Sequence, residues 1–192
     1  DRLLSRGLGD VYKRQAKRLG LEDNLFQVGS TSKITLAGSG ISFISSSLEN
    51  LSKFIDFRNA ITPGPNKMNQ GMHVKYFELV SIEQQMKELK KIIKPKFELV
   101  DSILKPLKDE GLCLYEKPTG GYFYSIDSAK SNADEIVQNC SGLGLKLLPM
   151  GSCFPYGKDP DKKNIRLAPT FPDLTSLERC VSIFKNVLKY LN

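Results

Sequence analysis

A helical signal from about Lys67 to Lys108 constrains this chain more than any other feature. Met86, Leu89, Ile92 and Ile93, then Phe97, Val100, Ile103, Leu104 and Leu107, recur at helical spacing and make one apolar stripe. Pro95 lies inside it, where a missing N–H and a ring clash predict a kink or a division. The lysine-rich face (Lys87, Lys90, Lys91, Lys94, Lys96) is expected to be solvated, because no aromatic residues interleave with it to stack on bases. Such a helix divides the chain into two unlike pieces.

Upstream, Leu25, Phe26 and Val28 suit a short buried strand, and "GISFISSS" (40 to 47) suits another. "SLENLSKFIDFRNA" (47 to 60) has Leu48, Leu51, Phe54 and Ile55 at helical period, with Ser47 placed to cap it. "TPGPN" (62 to 66) breaks it. This piece has too few strands for a sheet of its own. Downstream, "LCLYEKPTGGYFYSID" (112 to 127) predicts two strands around a Pro-Thr-Gly-Gly turn. A helix over 132–144, strands over 145–150 and 164–171, and a terminal helix over 173–192 complete that piece. The expected class is α/β with an α+β tail.

Composition removes several functional classes. No apolar run approaches the length of a membrane span, and the start lacks the apolar core of a signal peptide. Cys113, Cys140, Cys153 and Cys180 are widely spaced without C-x-x-C, so reduced thiols in a cytoplasmic protein are expected, with no metal site. His73 is the single histidine, which disfavours a Ser-His-Asp arrangement, and no metal-type ligands adjoin it. The net charge of +7 raises the question of nucleic acid. Part of that charge sits in "DRLLSRGLGDVYKRQ" (1 to 15), whose end resembles an in-frame translation of a transposase-type sequencing adapter. The stretch sets Arg2, Arg6, Lys13 and Arg14 against Asp1 and Asp10, a net +2, and leaves an ordinary +5. The alternative is a natural basic arm.

Two residues stand out chemically. Lys33, in "GSTSKITLAGSG" (29 to 40), lies among hydroxyls. A lysine that forms a Schiff base needs a partly desolvated or electropositive pocket. Ser30, Ser32 and nearby amides could hold a phosphate beside it, a combination that suits pyridoxal phosphate. A nucleotide P-loop is excluded, since Ile34 follows the lysine where that motif needs a hydroxyl. An ordinary surface loop is the plain alternative. Arg166, in the apolar strand "NIRLAPTF", is costly to bury without a partner. That partner is either a substrate carboxylate held by two parallel hydrogen bonds or an internal acid.

Four blocks carry a resemblance: "GSTSKITLAGSG", "KPKFELV" (94 to 100), "EKPTGGYFYSID" (116 to 127) and "FPYGKDPDKKNIRLAPTFP" (154 to 172). In this order they resemble the fold-type I pyridoxal-phosphate aminotransferases, most closely a bacterial aspartate aminotransferase subgroup with alanine-glyoxylate-like names. The resemblance implies that Lys33 carries pyridoxal 5'-phosphate as a Schiff base and acts as general base and acid. It further implies that Ser30 and Ser32 hold the phosphate, that Arg166 grips the substrate's α-carboxylate, and that the Gly120-Gly121 turn lies near the substrate entrance. The expected domains are an adapter-like 1–15, the end of a large cofactor domain over 16–75, a linking helical region over 76–108 and a small α+β domain over 109–192. The implied reaction moves an amino group, with aspartate the expected donor, to a 2-oxo acid in a cytoplasmic homodimer without nucleic-acid or membrane partners. Many relatives place a phosphate-binding arginine eight residues after the lysine, where this chain has Ile41. The resemblance also implies an upstream half, with the acid that pairs with the pyridine nitrogen, that this sequence lacks. With its adapter-like start, the chain is therefore expected to be an inactive C-terminal portion of an enzyme about twice its length or more. A ligand-sensing domain of a transcription regulator and a related lyase or decarboxylase are the alternatives.

Overall fold

The computed structural model describes residues 12–192, so the first eleven residues of the adapter-like stretch lie outside the described residues. The chain divides into two compact units, one ending at Lys90 and the other running Lys91–Asn192.

In the first unit, residues 12–19 are helical (α1), and a single 3-10 turn at Glu22–Asn24 leads into a hairpin of β1 (Gln27–Ser30) and β2 (Ser42–Ser45). The antiparallel register sets Val28 opposite Ile44 and Ser30 opposite Ser42, which puts these four on one face. Ser47 then caps α2 (Leu48–Ile61), its hydroxyl accepting from the Asn50 amide at 3.3 Å, as its position predicts. After the proline-glycine break, Asn66 caps α3 (Lys67–Leu79) by accepting from the Asn69 amide at 3.0 Å.

The helical region expected over 67–108 is two helices, and the break is not at Pro95. It falls at Val80 and Ser81, where the Ser81 hydroxyl accepts from the Gln84 amide at 3.2 Å and opens a new helix. That helix, α4 (Ile82–Asp109), runs through both Pro95 and Pro106. An interior proline costs roughly 3 kcal/mol. Phe97, Val100, Leu104 and Leu107 are all buried on α4, and at about 1.5–3 kcal/mol each their burial outweighs it. The lysine face is exposed as expected except at Lys96, whose ammonium donates to the Thr170 carbonyl at 2.7 Å.

The second unit holds an antiparallel sheet in the order β3 (Cys113–Tyr115), β4 (Tyr124–Ser128), β5 (Asn164–Leu167). On β4, Tyr124, Ile126 and Ser128 are buried while Ser125 and Asp127 are exposed, the period-2 pattern of a half-covered sheet. Ile136 and Cys140 of α5 (Ala133–Gly142), with Leu177, Val181, Phe184 and Leu188 of α6 (Leu174–Leu191), share its core. Tyr124 is central: its ring stacks on Phe97 at 5.1 Å and its hydroxyl donates to the Phe97 carbonyl at 2.9 Å. The strand expected over 145–150 is absent. Leu145, Leu147 and Met150 do pack against the core, but the backbone enters no ladder, so alternation here marks burial without pairing.

Candidate active site

Lys33 sits on the loop that joins β1 to β2. The Thr31 amide donates to the Ile41 carbonyl at 2.9 Å, and the Ile41 amide donates to Thr31 Oγ1 at 3.0 Å, which closes the neck of the loop. Inside it the amides of Ile34 and Thr35 both donate to the Thr31 carbonyl, at 2.8 and 2.9 Å, winding one turn around Lys33. Ser30 Oγ lies 2.8 Å from Ser32 Oγ and accepts from the Ser32 amide at 3.2 Å. Gly40 closes against this turn: a Cβ there would stand 2.6 Å from Ser32 Cα, so no larger residue permits the approach. Ser30, Ser32 and Lys33 are therefore neighbours on one closed turn. All three are exposed, and the desolvation expected around the lysine is not supplied by this loop.

Four polar side chains from α3 and α4 hold the loop. His73 is 2% exposed; its Nε2 lies 2.9 Å from Thr35 Oγ1 and 3.4 Å from Thr31 Oγ1, and its Nδ1 lies 2.9 Å from the Asn69 carbonyl. Asn69 Nδ2 donates to the Gly40 carbonyl at 3.4 Å. Gln85 Nε2 donates to the Ile34 carbonyl at 3.2 Å, while Gln85 Oε1 accepts from the Tyr76 hydroxyl at 2.6 Å. Nothing local in the sequence singles these residues out, since Thr35 and His73 stand 38 positions apart.

Ser30 and Ser42 also line a cavity of about 810 Å³, together with Phe43, Phe54, Arg58 and Gln70. Arg58 donates through Nη2 to Asn59 Oδ1 at 2.7 Å, but its Nε is buried without a hydrogen-bond partner. A buried donor left unpaired is costly.

Arg166 belongs to the second unit. It stands on β5 opposite Ser125 of β4 and is half-buried, its guanidinium carbon 3.4 Å from the centroid of the Phe123 ring. Among the described residues no carboxylate pairs with it, so the internal acid is not its partner. The aromatic face offsets part of its desolvation and leaves the edge N–H groups uncommitted. Gly121, in the turn between β3 and β4, adopts φ +87°, a conformation that favours glycine.

A lysine turn flanked by hydroxyls and a strand arginine, on this succession of elements, define the fold of the fold-type I pyridoxal-phosphate aminotransferases. An aspartate transaminase from Corynebacterium glutamicum superposes with a TM-score of 0.81 at 33% identity, over 90% of this chain and 41% of that one. The α-aminoadipate aminotransferase of Thermus thermophilus, solved with N-(5'-phosphopyridoxyl)-L-leucine, shares the fold with a TM-score of 0.75 at 18% identity, over 92% of this chain and 44% of that one. The sequence model for the family described as aspartate amino-transferase matches residues 11–189, and the chain belongs to that family. A curated aspartate aminotransferase of C. glutamicum is 38% identical over 151 residues, covering 78% of this chain and 35% of its own length. The chain thus spans about a third of the length of the curated relatives it matches.

Proposed function

We propose that this chain carries the lysine turn and the carboxylate-binding arginine of a pyridoxal-phosphate-dependent aminotransferase that moves an amino group from an amino acid, aspartate first among them, to a 2-oxo acid. The observation that carries this is the pair of hydroxyls, Ser30 at the end of β1 and Ser32 on the closed turn, that stand 2.8 Å apart just ahead of Lys33. Of the groups that suit the cofactor, Ser30 and Arg58 line the cavity, while the Ser32 hydroxyl and the Lys33 amine, which suits an aldehyde, stand on the adjoining loop.

When bound, pyridoxal phosphate supplies an electron-withdrawing ring that makes the substrate's Cα–H acidic. Ser30 and Ser32 would hold its phosphate. With the group bound, the Lys33 amine would take the proton from the substrate's Cα as a base and, as an acid, return it across the nitrogen to the cofactor's former aldehyde carbon. Arg166 orients the substrate through two parallel hydrogen bonds to its α-carboxylate. In this proposal residues 16–75 end a large cofactor domain, and 76–108 link it to the small domain over 109–192. The whole protein acts as a cytoplasmic homodimer, and the 192-residue chain alone is inactive.

The test is borohydride reduction of the whole protein after incubation with pyridoxal phosphate, followed by peptide mapping. A pyridoxyl group on Lys33 is the expected result. The same group on a different lysine overturns the assignment.

A further inference from the structure

We propose that His73 is a positioning residue for Lys33, acting through Thr35 and Thr31 to set where the lysine amine points. This rests on the function proposed for Lys33. His73 alone is buried among the described residues of the first unit, and both of its ring nitrogens are engaged. The Asn69 carbonyl can only accept, so Nδ1 carries the proton, and in the neutral ring Nε2 is an acceptor. The Thr35 hydroxyl, 2.9 Å away, has a single proton, and its acceptors are Nε2, Thr31 Oγ1 at 3.1 Å and the Thr31 carbonyl at 3.2 Å. Thr31 Oγ1, which accepts from Thr35, itself lies 3.4 Å from Nε2, so the ring and the two threonine hydroxyls form one cluster. The Ile41 amide, donating to Thr31 Oγ1 at 3.0 Å, ends the relay at the neck of the loop.

Thr31 and Thr35 lie two residues either side of Lys33. Fixing both fixes the turn between them, and with it the direction in which the Lys33 side chain leaves the backbone. A histidine that only filled space would need one ring face and no particular nitrogen. Here each nitrogen has a defined role, and the residue it meets on one side is part of the lysine turn. A reacting amine misplaced by about 1 Å can lose about a hundredfold in rate, which is the leverage this arrangement has on chemistry.

The experiment measures, in the whole cofactor-free protein, how fast pyridoxal phosphate becomes borohydride-fixed on Lys33, and separately kcat and KM of the reconstituted enzyme. His73→Phe removes both ring hydrogen bonds while keeping a ring of similar size. Thr35→Val removes the hydroxyl at nearly constant shape. Each is expected to slow capture at Lys33 about tenfold and to lower kcat similarly, with KM within twofold. The double variant is expected to be no slower than either single one, because both cut the same relay. His73→Asn, which keeps a donor and an acceptor, restores part of the rate. Capture at the unaltered rate in Thr35→Val, or a hundredfold loss in the double variant, overturns the proposal even if His73→Phe fails to fold. Failure of the unaltered protein to label Lys33 counts against the proposed function instead.

Discussion

At the scale of single residues, the chemistry proposed for this chain is easier to read from the sequence than the contacts that support it. Lys33 stood out because an amine among hydroxyls is unusual, and Arg166 because a charge in an apolar strand must be explained. His73 did not stand out: its partners lie in a loop some forty positions earlier, and no local period connects them. Arg58 was equally silent, since only the folded packing shows that its Nε is buried without a partner. Arg166 yields a prediction at this scale. Its stack on Phe123 needs a flat cation, and carboxylate recognition needs a fork, so lysine replaces neither. Arg166→Lys in the whole protein is expected to cut kcat/KM for the amino-acid substrate about 10- to 100-fold, matching the roughly 1.5–3 kcal/mol of a charged hydrogen bond. Cofactor capture at Lys33 should be unchanged. Steady-state kinetics alongside borohydride labelling checks both, and unchanged kcat/KM removes Arg166 from the site.

At the scale of elements, β5 is placed by a device that precedes it. Asp159 is buried, and its carboxylate accepts from the amides of Asp161 at 3.1 Å, Lys163 at 2.9 Å and Asn164 at 2.8 Å. These bonds, the one from Asn164 foremost, hold its carboxyl below the ordinary carboxylate range. The folded pKa is depressed, so the stabilisation is present above the unfolded value near pH 4 and is lost as pH falls through the lower folded value. Asp159→Ala is expected to destabilise the second unit by about 2 kcal/mol at neutral pH. Thermal melts between pH 3 and 7 should show a steeper acid loss in the unaltered protein than in the variant, and parallel curves would exclude this role. The same scale shows which elements the sequence could disclose. Ser47 and α2 were legible because cap and period are both local. The break at Ser81 was hidden because a serine cap inside a helical pattern looks weaker than a proline, although burial beyond Pro95 is what decides. The absent strand at 145–150 has the right alternation, and pairing is a property of neighbours that a sequence window cannot contain.

At the scale of the whole molecule, burial is unequally shared. Every buried apolar side chain among the described residues lies between Phe97 and Leu188, inside the second unit. In the first unit Val28 is 74% exposed, Phe43 61% and Phe57 66%, and its polar network converges on His73. A unit with so little apolar burial has little to set against its conformational entropy, so its local opening should be easy. Relatives of greater length supply a reason for this inequality, if further chain covers the exposed face of β1 and β2 in the whole protein. Hydrogen exchange distinguishes the two situations. In the 192-residue chain alone, amides of α2 and α3 should exchange at least a hundredfold faster than those of α6 and the buried half of α4. In the whole protein with pyridoxal phosphate, the lysine turn and α3 should rise toward the protection of α6. Equal protection of both units in the isolated chain would mean that the first is stable without further cover. The proposal that the chain alone is inactive would then lose its physical basis.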